Sequence, residues 1–101
     1  MSVTTSLTND NSVLTLSIHG AFDFSVVYDF RASYTQIDHK PETVVVDFND
    51  TVHLDSSALG MLLNLKRYMA ADNLAIKIIN ARSEVKKILK IAHFERFFSI
   101  S

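Results

Sequence analysis

The sequence of 101 residues contains no cysteine, one proline and two glycines. Without cysteine there is no disulfide framework, no thiolate zinc site and no Cys nucleophile. With so few breakers the loops are expected to be short, and there is no flexible linker. Neither sign of charge dominates: Lys plus Arg is 10 and Asp plus Glu is 11, a formal net charge of −1. Sequence-independent nucleic-acid binding needs a clear basic excess, so nucleic acid is not an expected partner. No apolar run approaches the ~18–20 residues that span a bilayer. Met1-Ser2-Val3-Thr4-Thr5 has no basic patch before an apolar stretch, unlike a signal peptide. Direct membrane insertion is therefore not expected, and a soluble, cytoplasmic protein is. There is no GxGxxG, no phosphate-binding Gly-rich loop ending in Lys and no Gly-x-Ser-x-Gly elbow. These absences leave no nucleotide site of its own, no cofactor and no hydrolytic triad. His19, His39, His53 and His93 fall in four segments, with no i, i+4 pair. They read as solvated polar groups rather than metal ligands.

What is present is the material of one globular domain over residues 1–101: 48% apolar residues, 21% charged, seven Phe and three Tyr. Val3, Thr5 and Leu7 alternate with polar neighbours, Asn9 to Ser12 is a turn cluster, and Leu14, Leu16 and Ile18 alternate again. That pattern predicts a hairpin with one buried face, ended by Gly20. Val27, Phe30, Tyr34 and Ile37 follow helical spacing behind Asp23 or Ser25 as cap, and Pro41 closes the segment. Val44 to Phe48 is a β-branched run without alternation, which predicts a strand covered on both faces. A helix is expected from about Ser56 to Ala71, a buried strand from Leu74 to Ile79, and a third helix capped by Ser83. That helix has Val85, Ile88, Leu89 and Ala92 inward and Lys86, Lys87 and Lys90 on a solvated face. Phe97 to Ile100 supplies a last edge strand. The order ββαβαβα(β) predicts an α/β fold, a mixed β-sheet with helices packed on it.

One stretch carries chemistry: His53-Leu54-Asp55-Ser56-Ser57-Ala58-Leu59-Gly60-Met61-Leu62. It passes through acidic and hydroxyl residues into an apolar helix, with Asp55 or Ser56 placed to cap the first turn. A phosphate on a serine there would meet free N–H groups and the positive end of the helix dipole. The apolar residues from Ala58 to Met69 cover an arc of roughly 220°, wider than one face on a sheet requires. Ala58, Leu62, Leu65 and Met69 lie at its centre and are expected in the core. Met61 and Tyr68 lie at one margin and Leu63 at the other. Either neighbouring helices cover these margins, or they form an apolar docking surface for a protein beside the serine.

Asp55-Ser56-Ser57-Ala58-Leu59-Gly60 resembles the phosphorylation motif of the STAS domain family, the anti-sigma factor antagonists of bacteria. Gly20-Ala21-Phe22-Asp23 resembles the family's Gly-x-Leu/Phe-Asp, Val44 to Phe48 its central strand, and Phe94 to Ile100 its terminal Phe-rich segment. The resemblance spans roughly residues 3 to 100. Ala58 stands where many members have Gly, the turn after Asp23 lacks the Thr that often follows, and several members continue beyond the position of Ser101 into another helix. The resemblance implies a non-enzymatic switch. The unphosphorylated form binds a serine kinase that is also an anti-sigma factor, phosphorylation of the serine after the Asp releases it, and a metal-dependent serine phosphatase reverses the change. It makes Ser56 the phospho-acceptor and Asp23, Asp55, Ser57 and Gly60 partner-binding residues, joined by Met61 and Leu63 of the apolar margins. The alternative within the family is an accessory subunit of a membrane transport complex that is not phosphorylated. The intact Ser56-Ser57 pair favours the switch.

Overall fold

Alternating apolar and hydroxyl side chains draw Val3–Leu7 (β1) and Val13–Ile18 (β2) into an antiparallel hairpin in the computed structural model, which describes residues 2–38, 40–69 and 75–101. Its turn is closed by Asp10, whose Oδ1 accepts from Thr8 Oγ1 at 2.7 Å and from Ser12 N at 3.1 Å. Asn11 there takes the left-handed conformation at φ 62°. Three further strands, Thr43–Asp47 (β4), Ala75–Ile79 (β6) and Ser99–Ile100 (β7), extend the sheet in the order β1-β2-β4-β6-β7. All pairs beyond the hairpin are parallel. The terminal edge strand therefore forms where it is expected. A second, two-stranded parallel sheet pairs Gly20–Phe22 (β3) with Thr51–Leu54 (β5). These two short strands add to the expected order: three residues and four residues are too few to show a period.

Each parallel step in the sheet is bridged by a helix: Val27–Thr35 (α1), Ser56–Tyr68 (α2) and Ser83–Ile91 (α3). Crossovers of one hand that advance in one direction lay their helices on one face. The burial agrees. Leu14, Leu16, Ile18, Val44, Val46, Ile76 and Ile78 are buried, whereas their neighbours Thr15, Ser17, Val45 and Lys77 are not. The expectation that the strand around Val44 to Phe48 is covered on both faces is thus corrected: Val45 stays half-buried on the uncovered face. The same holds for the strand before Asn80, where Lys77 is exposed; Leu74, its expected start, lies outside the described residues, as does Ala71. In β1 only Val3 is buried, and Thr5 and Leu7 of the expected inner face are exposed because this is an edge strand.

Within the helices, Phe30 and Tyr34 of α1 are buried, and Ile37 packs on the core from beyond the helix end. Ala58, Leu62 and Leu65 of α2 and Met69 at its C-cap are buried, as the centre of the apolar arc requires. Ser83 does not cap α3: it is the first helical residue, and the cap position is Arg82, with no side-chain hydrogen bond. Val85 and Leu89 are buried, while Ile88 and Ala92 are partly so. Phe22, Phe30 and Phe48 meet at the centre of the core, with ring centroids 5.0 Å (Phe22–Phe30) and 5.8 Å (Phe22–Phe48) apart. Full burial of such side chains stabilises by about 1.5–3 kcal/mol each. No described helix is long and apolar enough to cross a membrane.

Candidate functional site

The small sheet decides where the site forms. Gly20, at φ 85°, turns the chain out of β2 into β3, a conformation open to glycine at little cost. Thr51 is buried and donates from Oγ1 to Ile18 O at 2.9 Å, which ties β5 to the end of β2. Phe22 then stands opposite Leu54, so Asp23 and Asp55 leave the two parallel strands side by side; Asp55 N donates to Phe22 O at 3.4 Å.

Both junctions have the same chemistry, Asp-x-Ser at a helical start. Asp23 is extended and its Oδ1 accepts from Ser25 N at 2.9 Å and from the Ser25 hydroxyl, which caps a 3-10 turn over Phe24–Val26 ahead of α1. Asp55 is likewise extended, and its Oδ1 accepts from Ser57 N at 3.0 Å, Ser57 Oγ at 2.6 Å and Ala58 N at 3.2 Å. The caps are therefore the aspartates: of the alternatives Asp23 or Ser25 and Asp55 or Ser56, the carboxylate caps in each case. The Ser57 hydroxyl, ahead of the two amides, holds the Asp55 carboxyl below the usual carboxylate range, with nearby His53 acting in the same direction.

Ser56 is left in a different condition from Ser57. It is exposed at the first helical position, and among the described residues no hydrogen bond engages its hydroxyl, whereas the Ser57 hydroxyl is held by Asp55. The amides that a phosphate was expected to meet are already taken: Ser57 N and Ala58 N by the Asp55 carboxylate, and Ala58 N and Leu59 N also by Asp55 O at 3.1 and 3.4 Å. A group added to Ser56 Oγ would project outward beside that carboxylate.

Gly60 lies one turn beyond Ser56 on the same side of α2, exposed, with nothing within 4 Å of where a Cβ would sit. Leu63 continues this side and is partly buried against the core. Met61 does not: at 6% exposure it is a core residue, so the expectation of an apolar margin there is corrected, neighbouring structure covering it. Tyr68 is part-exposed and packs on Tyr34 with ring centroids 5.2 Å apart. Two aromatics that the sequence reading did not single out follow Asp23 in the chain and are exposed: Phe24, 72%, and Tyr28, 84%. Phe24 holds in the first junction the position that Ser56 holds in the second. The repeated Asp-x-Ser was the available signal, together with the fact that neither aromatic falls on the Val27, Phe30, Tyr34 stripe.

Among the described residues the histidines form no metal site. His19 bonds Asp50 through Nδ1 and Thr4 through Nε2, each at 2.9 Å; His53 is exposed; His93 lies 3.6 Å from Glu95. His39 lies outside the described residues. Among the described residues no cluster of His, Asp and Glu could hold a metal ion. The lysines of α3 border an open groove of about 420 Å³ lined by Ser83, Lys86, Lys87, Lys90 and Ile91, which includes none of the residues of the Asp-x-Ser junctions.

A mixed sheet backed by three helices, with a serine presented at a strand-to-helix junction, defines a STAS-type α/β domain. The model of the STAS domain matches residues 4–101, and the chain belongs to that family. It is 43% identical, over the full length of both chains, to a STAS-domain containing protein of Pseudomonas aeruginosa (strain UCBPP-PA14). Its fold is similar to that of the anti-sigma factor antagonist SpoIIAA in its unphosphorylated form (TM-score 0.75, 17% identity, 98% of this chain and 86% of that one). The phosphorylated form of the Bacillus cell fate determinant SpoIIAA matches as closely (TM-score 0.74, 16% identity, 98% and 90%). An anti-sigma factor antagonist from Mycobacterium paratuberculosis gives a TM-score of 0.76 at 17% identity over 98% and 85%.

Proposed function

We propose that this STAS domain is a non-enzymatic, cytoplasmic partner switch of the anti-sigma factor antagonist type, with Ser56 as its phospho-acceptor. The observation that carries the reading is the contrast within the serine pair: Ser57 is held by Asp55, while Ser56 presents an uncommitted, exposed hydroxyl. In this reading the partner is a serine kinase that also sequesters a sigma factor. Ser56 Oγ attacks the γ-phosphorus of ATP, the bond to ADP breaks, and the hydroxyl proton passes to a base on the kinase. A metal-dependent serine phosphatase hydrolyses the ester. Asp23, Asp55, Ser57, Gly60 and Leu63 form the contact surface around the acceptor, with Phe24 and Tyr28 beside it.

The switch is electrostatic. A phosphate adds about −1.5 to −2 charges at pH 7, next to Asp55 and on the neighbouring strand end from Asp23. A partner group fitted to a neutral hydroxyl between two carboxylates then meets excess negative charge. For like unit charges ~5 Å apart at an effective dielectric of ~20 the repulsion is roughly 3 kcal/mol before screening, and half of that is a tenfold loss of affinity.

The test is capture of the partner with unphosphorylated protein, followed by phosphopeptide mapping and titration. Label on Ser56, tight binding by Ser56→Ala and at least about tenfold weaker binding by Ser56→Asp are expected. Label on Ser57 would refute the assignment. Equal affinity of the two variants would remove the switch and leave the accessory-subunit role in a membrane transport complex.

A further inference from the structure

We propose that the chain forms a two-fold dimer in which β1 pairs antiparallel with β1 of a second copy about Thr5, merging two five-stranded sheets into one. Strand β1 lies at the sheet edge. In its ladder with β2, Thr8 N donates to Val13 O at 3.1 Å and His19 N to Ser2 O at 2.7 Å. Bonded residues alternate along an antiparallel ladder, so Ser2, Thr4, Ser6 and Thr8 direct their backbone groups to β2. Val3, Thr5 and Leu7 direct theirs outward.

Among the described residues nothing blunts that edge. Val3–Leu7 contains no charge and no proline, and its register with β2 runs without a bulge. The opposite edge, β7, is two residues long and offers little to pair with. The β1 sequence is also complementary to itself. With the axis at Thr5, Thr5 opposes Thr5 and Val3 opposes Leu7 on either side. All three pairs use outward-facing backbone groups, for about six hydrogen bonds at two per pair.

Side chains fit the same register. Leu7 is 40% exposed, large and apolar, on the face of the sheet that the helices cover. In the dimer it stands opposite Val3 of the second copy. There an open cleft of about 180 Å³ lies between β1 and α1, lined by Val3, Thr5, Asp29, Ala32, Ser33 and Gln36. The small side chains of Ala32 and Ser33 leave room for the incoming leucine. Because the axis repeats every contact, each copy gives one leucine and receives one. A slip of one residue would set these outward-facing backbone groups against residues that bond to β2, and a slip of two would take Leu7 away from Val3 and its cleft, so the register is specified. The pairing and its cleft use none of the residues placed around Ser56, and the dimer stands or falls independently of the switch.

The native chain has no cysteine, which permits a direct test. Across the axis the two Thr5 Cα atoms would lie about 5.5 Å apart, within reach of a disulfide, whereas the two Thr4 Cα atoms would lie beyond ~7 Å. Thr5→Cys is expected to oxidise to a covalent dimer and Thr4→Cys to remain monomeric. Sedimentation of the wild type should show a monomer–dimer equilibrium that Thr5→Lys weakens at least about tenfold, by placing two ammonium groups on the axis. Amide exchange at Val3, Thr5 and Leu7 should slow as the wild-type concentration rises, a readout that needs no variant to fold. A wild type that stays monomeric overturns the proposal, even if an unrelated protein binds this edge. So does a dimer in which these three amides exchange at unchanged rates.

Discussion

Asp55 offers one carboxylate oxygen to two amides and a hydroxyl, and Asp10 does much the same in the β1–β2 turn. Both carboxyls titrate below their ordinary value of 3.8, Asp10 at about 2, in each case chiefly through a serine hydroxyl, Ser12 for Asp10 and Ser57 for Asp55. Each group binds its proton more weakly folded than unfolded, so its stabilisation is complete above the unfolded value. It is lost as pH falls through the folded one. Thermal melts are therefore expected to be flat from neutral pH to about pH 4 at these two sites and to decline towards pH 2, with a shallower decline in Asp10→Asn. At neutral pH, Asp55→Ala removes the cap of α2 and should lower Tm by roughly 5 °C. Ser56→Ala removes a hydroxyl without a bond in the described structure and should leave Tm within about 2 °C of the wild type. The cap was legible as a choice between Asp55 and Ser56. Which of them closes on the amides depends on backbone direction at the end of β5, which no residue pattern states.

In α2 the one glycine, Gly60, lies in mid-helix on the exposed side, with open space where a Cβ would be. Glycine there costs a helix about 0.5–1 kcal/mol relative to alanine, and nothing in the fold demands it. Gly60→Ala is expected to raise Tm by roughly 3–6 °C. If the partner packs closely below Ser56, the same variant binds more weakly, so that stability and affinity move in opposite directions. Melting and titration of one variant separate the two effects. The helices were legible because their periods run over several turns: Phe30 and Tyr34, and Ala58, Leu62 and Leu65, fall inward as their spacing requires. The strands β3 and β5 were not. Their residues carry no period, and they pair only because Gly20 turns the chain and Thr51 reaches back to Ile18. Met61 shows the limit on a single helix. Its place at the edge of an apolar arc left two outcomes open, and contact with the rest of the fold buried it.

For the molecule as a whole, phosphorylation of Ser56 is expected to change association rather than fold. The hydroxyl points outward and the helix amides are already capped, so the phosphate displaces no internal bond. Melting temperatures of the two forms should agree within about 3 °C, and their amide spectra should differ only near the β3 and β5 ends. A large shift in either would mean that the modification acts through stability. The β1-edge dimer should be indifferent to Ser56→Asp, because the pairing about Thr5 uses none of the residues around Ser56. By itself the sequence determined the class of fold, the three helices, the succession of the main strands and helices along the chain and the stretch around Ser56. Each of these follows from local periodicity or from residues adjacent in the chain. Only the tertiary structure decided that Asp23 stands beside Asp55, that Phe24 and Tyr28 are exposed, and that Thr5 and Leu7 remain at an open edge. Those facts depend on which segments lie against one another, and contact between residues distant in sequence leaves no mark on the spacing of either.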